Sequence, residues 1–508
     1  MTPTRVGIVI VLALAAFKLS LHLATTGLFG YGHFVDELYY LALSEHLDWG
    51  YVDVPPLFPL VTAGVRTLFG DSLFAVRLVP TLAGASLVLV TGLLARDLGG
   101  GRFAMTVSAL AVVTAPVYLG LHSLHTMNAL DPLFWTATAW VLLRILRGGD
   151  PRLWLVFGLV SGLGLLNKHA MAFWGLALVV GLLLTPERRV FRERWVWLGG
   201  LVALAVVLPN VIWNVVHGFP HLEVLAMIRL HGRDAVLSPI EFVAQQVLML
   251  HPLALPIWLA GLLQLLRGES GRLRVLGVAY LALIAEMLLL DGRFYYPAPA
   301  YPILFAAGGF ALEGWLQRRR VPRLRPVYVG LLVVTAAFLA PAWLPCLPPA
   351  TFVRYAEFTG LTQVPVENHE LGPLPQLHAD RFGWREMAEE VARVYHALPA
   401  AERGRTAILA PGYGQAGAID LFGPKLGLPK AISGHLTYHY WGPRGYTGDV
   451  AIVVGGEAKT LAGFFEGVEP AGRTDHPWAM PRSRLEIFIC RRMREPLREL
   501  WPRLRNWA

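Results

Sequence analysis

A ladder of apolar stretches, most of them near the length that a lipid bilayer sets, constrains this chain more than any other feature. A spanning helix needs about 20 mostly apolar residues, because the hydrocarbon layer is about 30 Å thick. Stretches of that kind lie near residues 6–29, 73–97, 103–121, 130–147, 152–166, 169–184, 195–216, 240–266, 273–291, 296–316 and 326–345. They predict a polytopic α-helical membrane protein of about 11 transmembrane helices. The 152–166 and 169–184 pair is short, so ten to twelve spans bracket the count. Composition agrees: 55% of the 508 residues are hydrophobic and 16% are charged, where soluble domains carry about 25% charged residues. Disorder, a collagen-like fibre and a disulfide scaffold are excluded, the last because Cys346 and Cys490 are the only cysteines.

Basic residues alternate along the ladder. One set of connections carries Arg96 and Arg102, then Arg144, Arg147 and Arg152, then Arg188, Arg189, Arg192 and Arg194, then Arg267, Arg272 and Arg274, and finally Arg318 to Arg325. The intervening connections near 30–72, 121–129, 167–169, 214–239 and 291–295 are poor in Lys and Arg. Short basic loops remain in the cytoplasm. The pattern therefore predicts a multi-pass protein of the cytoplasmic (inner) membrane with its N-terminus inside and its C-terminal region outside. It also explains the formal charge of +9 as topology, with no nucleic-acid partner implied. The first apolar run is longer than a signal-peptide core of 7–15 residues and reads as a span. Beyond Pro345 the texture becomes soluble. An amphipathic helix over 384–398, strands at 406–410, 450–454 and 485–489, and a helix at 415–422 predict a small α/β domain over 350–508 on the outer (periplasmic) face, following a membrane module over 1–345.

Ionisable groups at the mouth of a helical bundle are where chemistry is sought. The first outer loop, 30–72, is the richest place. It reads Gly32-His33-Phe34-Val35-Asp36-Glu37-Leu38-Tyr39-Tyr40, continues as a surface helix through Leu47, and ends Tyr51-Val52-Asp53-Val54-Pro55-Pro56-Leu57. A helix lying along the membrane surface brings Asp36 and Asp53 toward one another. The plain structural alternative is that Asp36 caps that helix and Asp53 belongs to a turn.

The Asp-Glu pair after the first span and the aromatic-acidic-x-Pro-Pro-Leu stretch resemble glycosyltransferase family 39 and its relatives. These are the bacterial protein O-mannosyltransferase-like enzymes and the lipid A aminoarabinose transferases, membrane glycosyltransferases of the C-type fold. Three further segments carry the resemblance: His122-Ser123-Leu124-His125 through Asp131-Pro132-Leu133, Gly162-Leu163-Gly164-Leu165-Leu166-Asn167-Lys168, and Arg293-Phe294-Tyr295-Tyr296 through Tyr301-Pro302. The resemblance covers roughly 1–345. It implies transfer of a sugar from a polyprenyl-phosphate carrier to a protein, lipid or glycan acceptor outside the membrane, with Asp36 as general base and Glu37 beside it. It also implies that Lys168, Arg293 and Tyr296 meet the donor phosphate, and that Tyr40, His122, His125 and Asp131 line a sugar cleft. Asp36 and Asp53 match positions at which relatives can use a divalent cation, Mg²⁺ or Mn²⁺, and the resemblance leaves metal use open here. Val54 stands where the aminoarabinose transferases carry lysine, which weakens the case for that sugar. The other outer histidines show no metal-ligand spacing. The rival expectation is a polytopic transporter or lipid-carrier flippase, which calls for ionisable residues at mid-membrane; Glu286 is the main such residue.

Overall fold

The computed structural model describes residues 3–268, 271–361, 367–368 and 370–507. In lipid every backbone polar group must be satisfied within the segment, and each of the eleven apolar stretches folds as helix. The membrane part contains α1 (Pro3–Thr25), α2 (Val35–Leu43), α3 (Leu57–Phe69), α4 (Leu73–Asp97), α5 (Arg102–Thr114), α6 (Pro116–Leu121), α7 (Asp131–Leu146) and α8 (Leu153–Asn167). It continues with α9 (Met171–Leu183), α10 (Arg194–Val216), α11 (Pro220–Leu230), α12 (Pro239–Met249), α13 (Leu255–Arg267), α14 (Arg274–Leu289), α15 (Tyr301–Arg318) and α16 (Leu324–Leu339).

Among the described residues, five of these helices are long and apolar enough to cross a membrane singly, or up to seven if each of two bent pairs counts as one span. The expectation of eleven full spans is therefore met only in part. The stretch 240–266 is corrected outright. It breaks at His251-Pro252 into α12 and α13, which are bent by 91°. His251 sits at φ 79°, and the proline beyond it cannot continue the preceding ladder of hydrogen bonds. Close approach between helices comes from glycine pairs: Gly158 of α8 faces Gly199 of α10, and Gly261 of α13 faces α15 beside Gly308. At each of these glycines an added Cβ would run into the backbone of the facing helix.

The arginine-bearing connections gather at one end of the bundle. Asp97 there accepts from Trp140 at 2.9 Å and Arg144 at 3.0 Å, and Arg272 donates to the carbonyl of Leu146 at 3.2 Å. The 30–72 loop, the 122–130 and 290–300 connections and the C-terminal segment assemble at the other.

The C-terminal segment forms a four-stranded sheet ordered β1-β2-β4-β3, from β1 (Thr406–Leu409), β2 (Val450–Val454), β3 (Phe465–Arg473) and β4 (Glu486–Met493). β1 pairs parallel to β2, and the other two pairings are antiparallel. The helices Trp384–Ala397 and Tyr413–Phe422 pack with it. β3 was not expected from the sequence: it carries Pro470 and alternates weakly, as an edge strand can. The hydrophobic core here does not stop at the segment boundary. Leu38, Tyr39, Leu43, Val52 and Phe58 of the first loop share one buried cluster with Trp384, Val391, Ile419, Ile452 and Ile487. The α/β unit is thus built onto the loop.

Candidate active site

α2 begins at Val35, with Glu37 in its first turn reaching back to accept from the backbone N–H of Phe34 at 2.8 Å. That closes the helix start and leaves Asp36, one residue earlier, turned to the side, so Asp36 is not the cap. Glu37 is fully buried and saturated. Arg77 of α4 donates to both of its oxygens at 2.9 Å, and the backbone N–H of His125 donates at 2.8 Å. Burial alone would raise this carboxyl, yet the Arg77 charge and hydrogen bonds hold it near 2. The expectation that Glu37 shares the chemistry of Asp36 is corrected. None of its oxygens is left for a substrate, and it fixes α2 to α4.

Asp36 is different. Its Oδ1 accepts a single bond, from the Tyr413 hydroxyl at 2.8 Å, and no bond within the described residues engages Oδ2. Burial pushes its carboxyl up to about 6; the Tyr413 hydrogen bond opposes this, Glu367 and Asp380 add to it, and Arg233 reduces it. Asp53 is also pushed up to about 6 by burial, against a hydrogen bond from the Tyr39 hydroxyl at 2.8 Å, with the charge of Asp36 adding to the rise. The two carboxylates thus lie within electrostatic reach, as the surface helix implied.

Lys168 caps the end of α8. It donates to Asn128 Oδ1 at 2.7 Å, stands 3.8 Å from Asp131 Oδ2, and lies 4.6 Å over the Tyr296 ring and 5.8 Å over that of Tyr295. Leu121, Asn128, Asp131, Lys168, Tyr295, Tyr296 and Pro299 line one small recess. The structure therefore brings Lys168, Asp131 and Tyr296 together. Arg293 stands behind them, 3.5 Å from the Tyr295 hydroxyl, with its guanidinium bidentate on Asp234 at 3.0 and 2.5 Å and 3.4 Å from Glu367. A phosphate meeting Arg293 must compete with two carboxylates. Tyr40 is buried against Phe58, and burial, with the charges of Asp36 and Asp53, pushes its hydroxyl up.

The two cleft histidines are not in the cleft. His125 packs on Phe58 beneath the loop, with Nε2 2.8 Å from Thr62 Oγ1. His122 is buried among α1 and α4, 6.2 Å from the His22 ring, and a Cβ on Gly84 would touch both His122 and Lys18. Both placements follow from the tight 122–130 connection, which folds under α2 instead of over it. Lys18, fully buried in α1, is an ionisable residue inside the bundle that the span-end pattern did not single out. Among the described residues no three His, Cys, Asp or Glu converge to hold a metal ion. Asp36 and Asp53 offer two carboxylates, each already accepting from a tyrosine.

Sequence reasoning missed Arg77, Asn128, Arg233, Asp234, Glu367, Tyr413 and Thr437. Arg77 alone left a signal, as a cation at the start of an apolar stretch. The rest come from distant segments whose juxtaposition no local pattern encodes.

Against known families, residues 53–213 match the family described as dolichyl-phosphate-mannose-protein mannosyltransferase. The chain is 31% identical over 186 residues to the lipid A galacturonosyltransferase RgtD of Rhizobium johnstonii, covering 36% of this chain and 39% of that protein. It is 32% identical over 194 residues to the undecaprenyl phosphate-alpha-4-amino-4-deoxy-L-arabinose arabinosyl transferase of Pseudomonas aeruginosa, covering 34% and 33%. The matches thus span well under half the length of these relatives. Among solved structures, ArnT from Cupriavidus metallidurans bound to undecaprenyl phosphate is similar at a TM-score of 0.61, with 16% identity, over 95% of this chain and 97% of that one. The resemblance read from the sequence is borne out, and the fold is similar to that of the solved ArnT.

Proposed function

We propose that this protein is a glycosyltransferase that takes a sugar from a polyprenyl-phosphate carrier and delivers it to a hydroxyl of an envelope acceptor at the outer face of the cytoplasmic membrane. The arginine loops lie inside with the N-terminus, and the carboxylate end and C-terminal segment lie outside. The observation that carries this reading is a carboxylate with one oxygen free at the same end of the bundle as a lysine in a narrow polar recess.

The chemistry follows from these two groups. An acceptor hydroxyl is a poor nucleophile, so Asp36 Oδ2 takes its proton as the oxygen attacks the anomeric carbon. The bond from that carbon to the phosphate oxygen breaks, its electron pair stays on the phosphate, and the configuration inverts. The Lys168 ammonium, oriented by Asn128 and Asp131 and covered by the Tyr296 ring, meets the growing negative charge in a site poor in water. Arg293 adds positive potential from behind, as its carboxylate partners permit. A base near 6 is stronger than an ordinary aspartate yet still charged at neutral pH, which suits the task.

The relatives' printed names favour a lipid A or lipopolysaccharide-core acceptor and a uronic-acid or amino-sugar donor. Val54 weakens the case for the amino-sugar donor. The test is to incubate the purified protein, reconstituted in lipid vesicles, with a panel of undecaprenyl-phosphate sugars, with lipid A or a lipopolysaccharide core as acceptor. Consumption of one donor with a sugar-bearing acceptor supports the reading; movement of a solute across vesicles with no donor consumed overturns it.

A further inference from the structure

We propose that Tyr413 is a positioning residue for Asp36, so that the C-terminal segment completes the transfer site across 377 residues of sequence. This rests on the reading of Asp36 as the base.

The contact is built. The helix Tyr413–Phe422 lies against α2 at a distance only glycine permits: a Cβ on Gly414 would come within 2.5 Å of Val35 Cγ2, and one on Gly417 within 2.7 Å of the Leu38 carbonyl oxygen. Tyr413 opens that helix, and two other rings pack against its own. It stacks on His435 at 5.2 Å with 7° between the planes, and Tyr39 lies tilted against it by 34° at 4.7 Å. Its own backbone N–H donates to His435 Nδ1 at 3.2 Å. A ring held this way has one place for its hydroxyl, which donates to Asp36 Oδ1 at 2.8 Å. The bond fixes the carboxylate's rotation and leaves Oδ2 as the oxygen that receives the acceptor's proton.

The same wall serves the second carboxylate. The Tyr39 hydroxyl donates to Asp53 Oδ1 and stands 2.8 Å from Thr437 Oγ1, which in turn accepts from the backbone N–H of Val52 at 3.1 Å. Asp36 and Asp53 are therefore each oriented by a tyrosine whose own position depends on residues beyond 410. A side chain held to within a fraction of an ångström by such support is what proton transfer demands. The tyrosine also favours the ionised form of Asp36, against burial and the charges of Glu367 and Asp380 and alongside Arg233.

The experiment compares the full-length protein with Tyr413→Phe, which keeps the stacked ring and removes only the hydroxyl, using undecaprenyl-phosphate galacturonate as donor. The expected result is a fall in kcat of about 10- to 30-fold, a donor KM unchanged within twofold, and a shift of the acid limb of the pH profile to higher pH. Gly417→Val, which pries the helix from α2, lowers kcat in the same direction. Tyr395→Phe, whose hydroxyl in the same segment donates to the Arg403 carbonyl at 3.0 Å, leaves the rate unchanged. A Tyr413→Phe protein with kcat within twofold of the parent and an unmoved acid limb overturns the proposal. Asp36→Asn separates the two readings. If it still transfers sugar, the base assignment fails; if it is inactive while Tyr413→Phe behaves like the parent, only this inference falls.

Discussion

The two halves of the site are made in opposite ways. The cation half, around Lys168, consists of helix ends and connections within the bundle: Asn128 before α7 and Asp131 at its start, Lys168 after α8, and Tyr295 and Tyr296 before α15. The carboxylate half, around Asp36 and Asp53, is a short surface helix that cannot bury its own apolar face. It finds its core, the donor to Asp36 and the support for Tyr39, which donates to Asp53, in the C-terminal segment. The difference suits the division of labour proposed for them. A phosphate needs charge at a fixed depth in the membrane, which bundle geometry supplies directly. A base needs orientation to a fraction of an ångström, which a nine-residue helix at the surface acquires only from a second layer above it.

Substitutions sharpen or break this contrast. Asp36→Asn removes the base while leaving the carbonyl oxygen to accept from Tyr413, and sugar transfer measured by mass spectrometry of the acceptor is expected to fall by about 10³-fold or more. Lys168→Met keeps the stem and removes the charge. It is expected to lower kcat/KM by about 10²-fold and to weaken binding of undecaprenyl phosphate itself, which Asp36→Asn leaves intact. Equal binding loss in both variants would erase the distinction between the halves.

Acidification acts on the carboxylate half. Asp36 is raised to about 6, so above that pH it is an ionised base and below it a neutral acid. Turnover is expected to drop about tenfold per pH unit below 6, and a profile flat to pH 5 would contradict the assignment. The support beneath α2 is read by stability instead of rate. Arg77→Met leaves Glu37 buried without its partner and is expected to cost about 3–5 kcal/mol, seen as a lower Tm by tryptophan fluorescence. The smallest effect concerns metal. With two carboxylates already held by tyrosines and no third ligand converging among the described residues, EDTA is expected to change turnover by less than about threefold.

What the sequence made legible follows the same divide. All eleven stretches of the apolar ladder fold as helix, because lipid forces backbone bonds to close within a segment, whereas α3 and α11 lie outside the ladder. It could not show the bend at His251, where a residue with positive φ precedes a proline. Asp36, Asp53, Lys168, Asp131 and Tyr296 stood out as polar groups at span ends, and the structure gathers them at one end. Glu37 stood out equally and is a buried structural ion. Nothing in a linear reading separates the two neighbours until Arg77 is placed beside one and Tyr413 beside the other. His122 and His125 misled because position along a span says nothing about which way a tight connection folds.

The central claim is that donor phosphate and acceptor-activating carboxylate meet at the end of the bundle opposite the arginine loops. The most direct measurement is a cryo-EM map of the protein with an undecaprenyl-phosphate sugar bound. The account predicts phosphate density in hydrogen-bond contact with Lys168 Nζ and the anomeric carbon directed toward Asp36 Oδ2. Phosphate density at the arginine-loop end of the bundle, or a sugar turned away from α2, would contradict it.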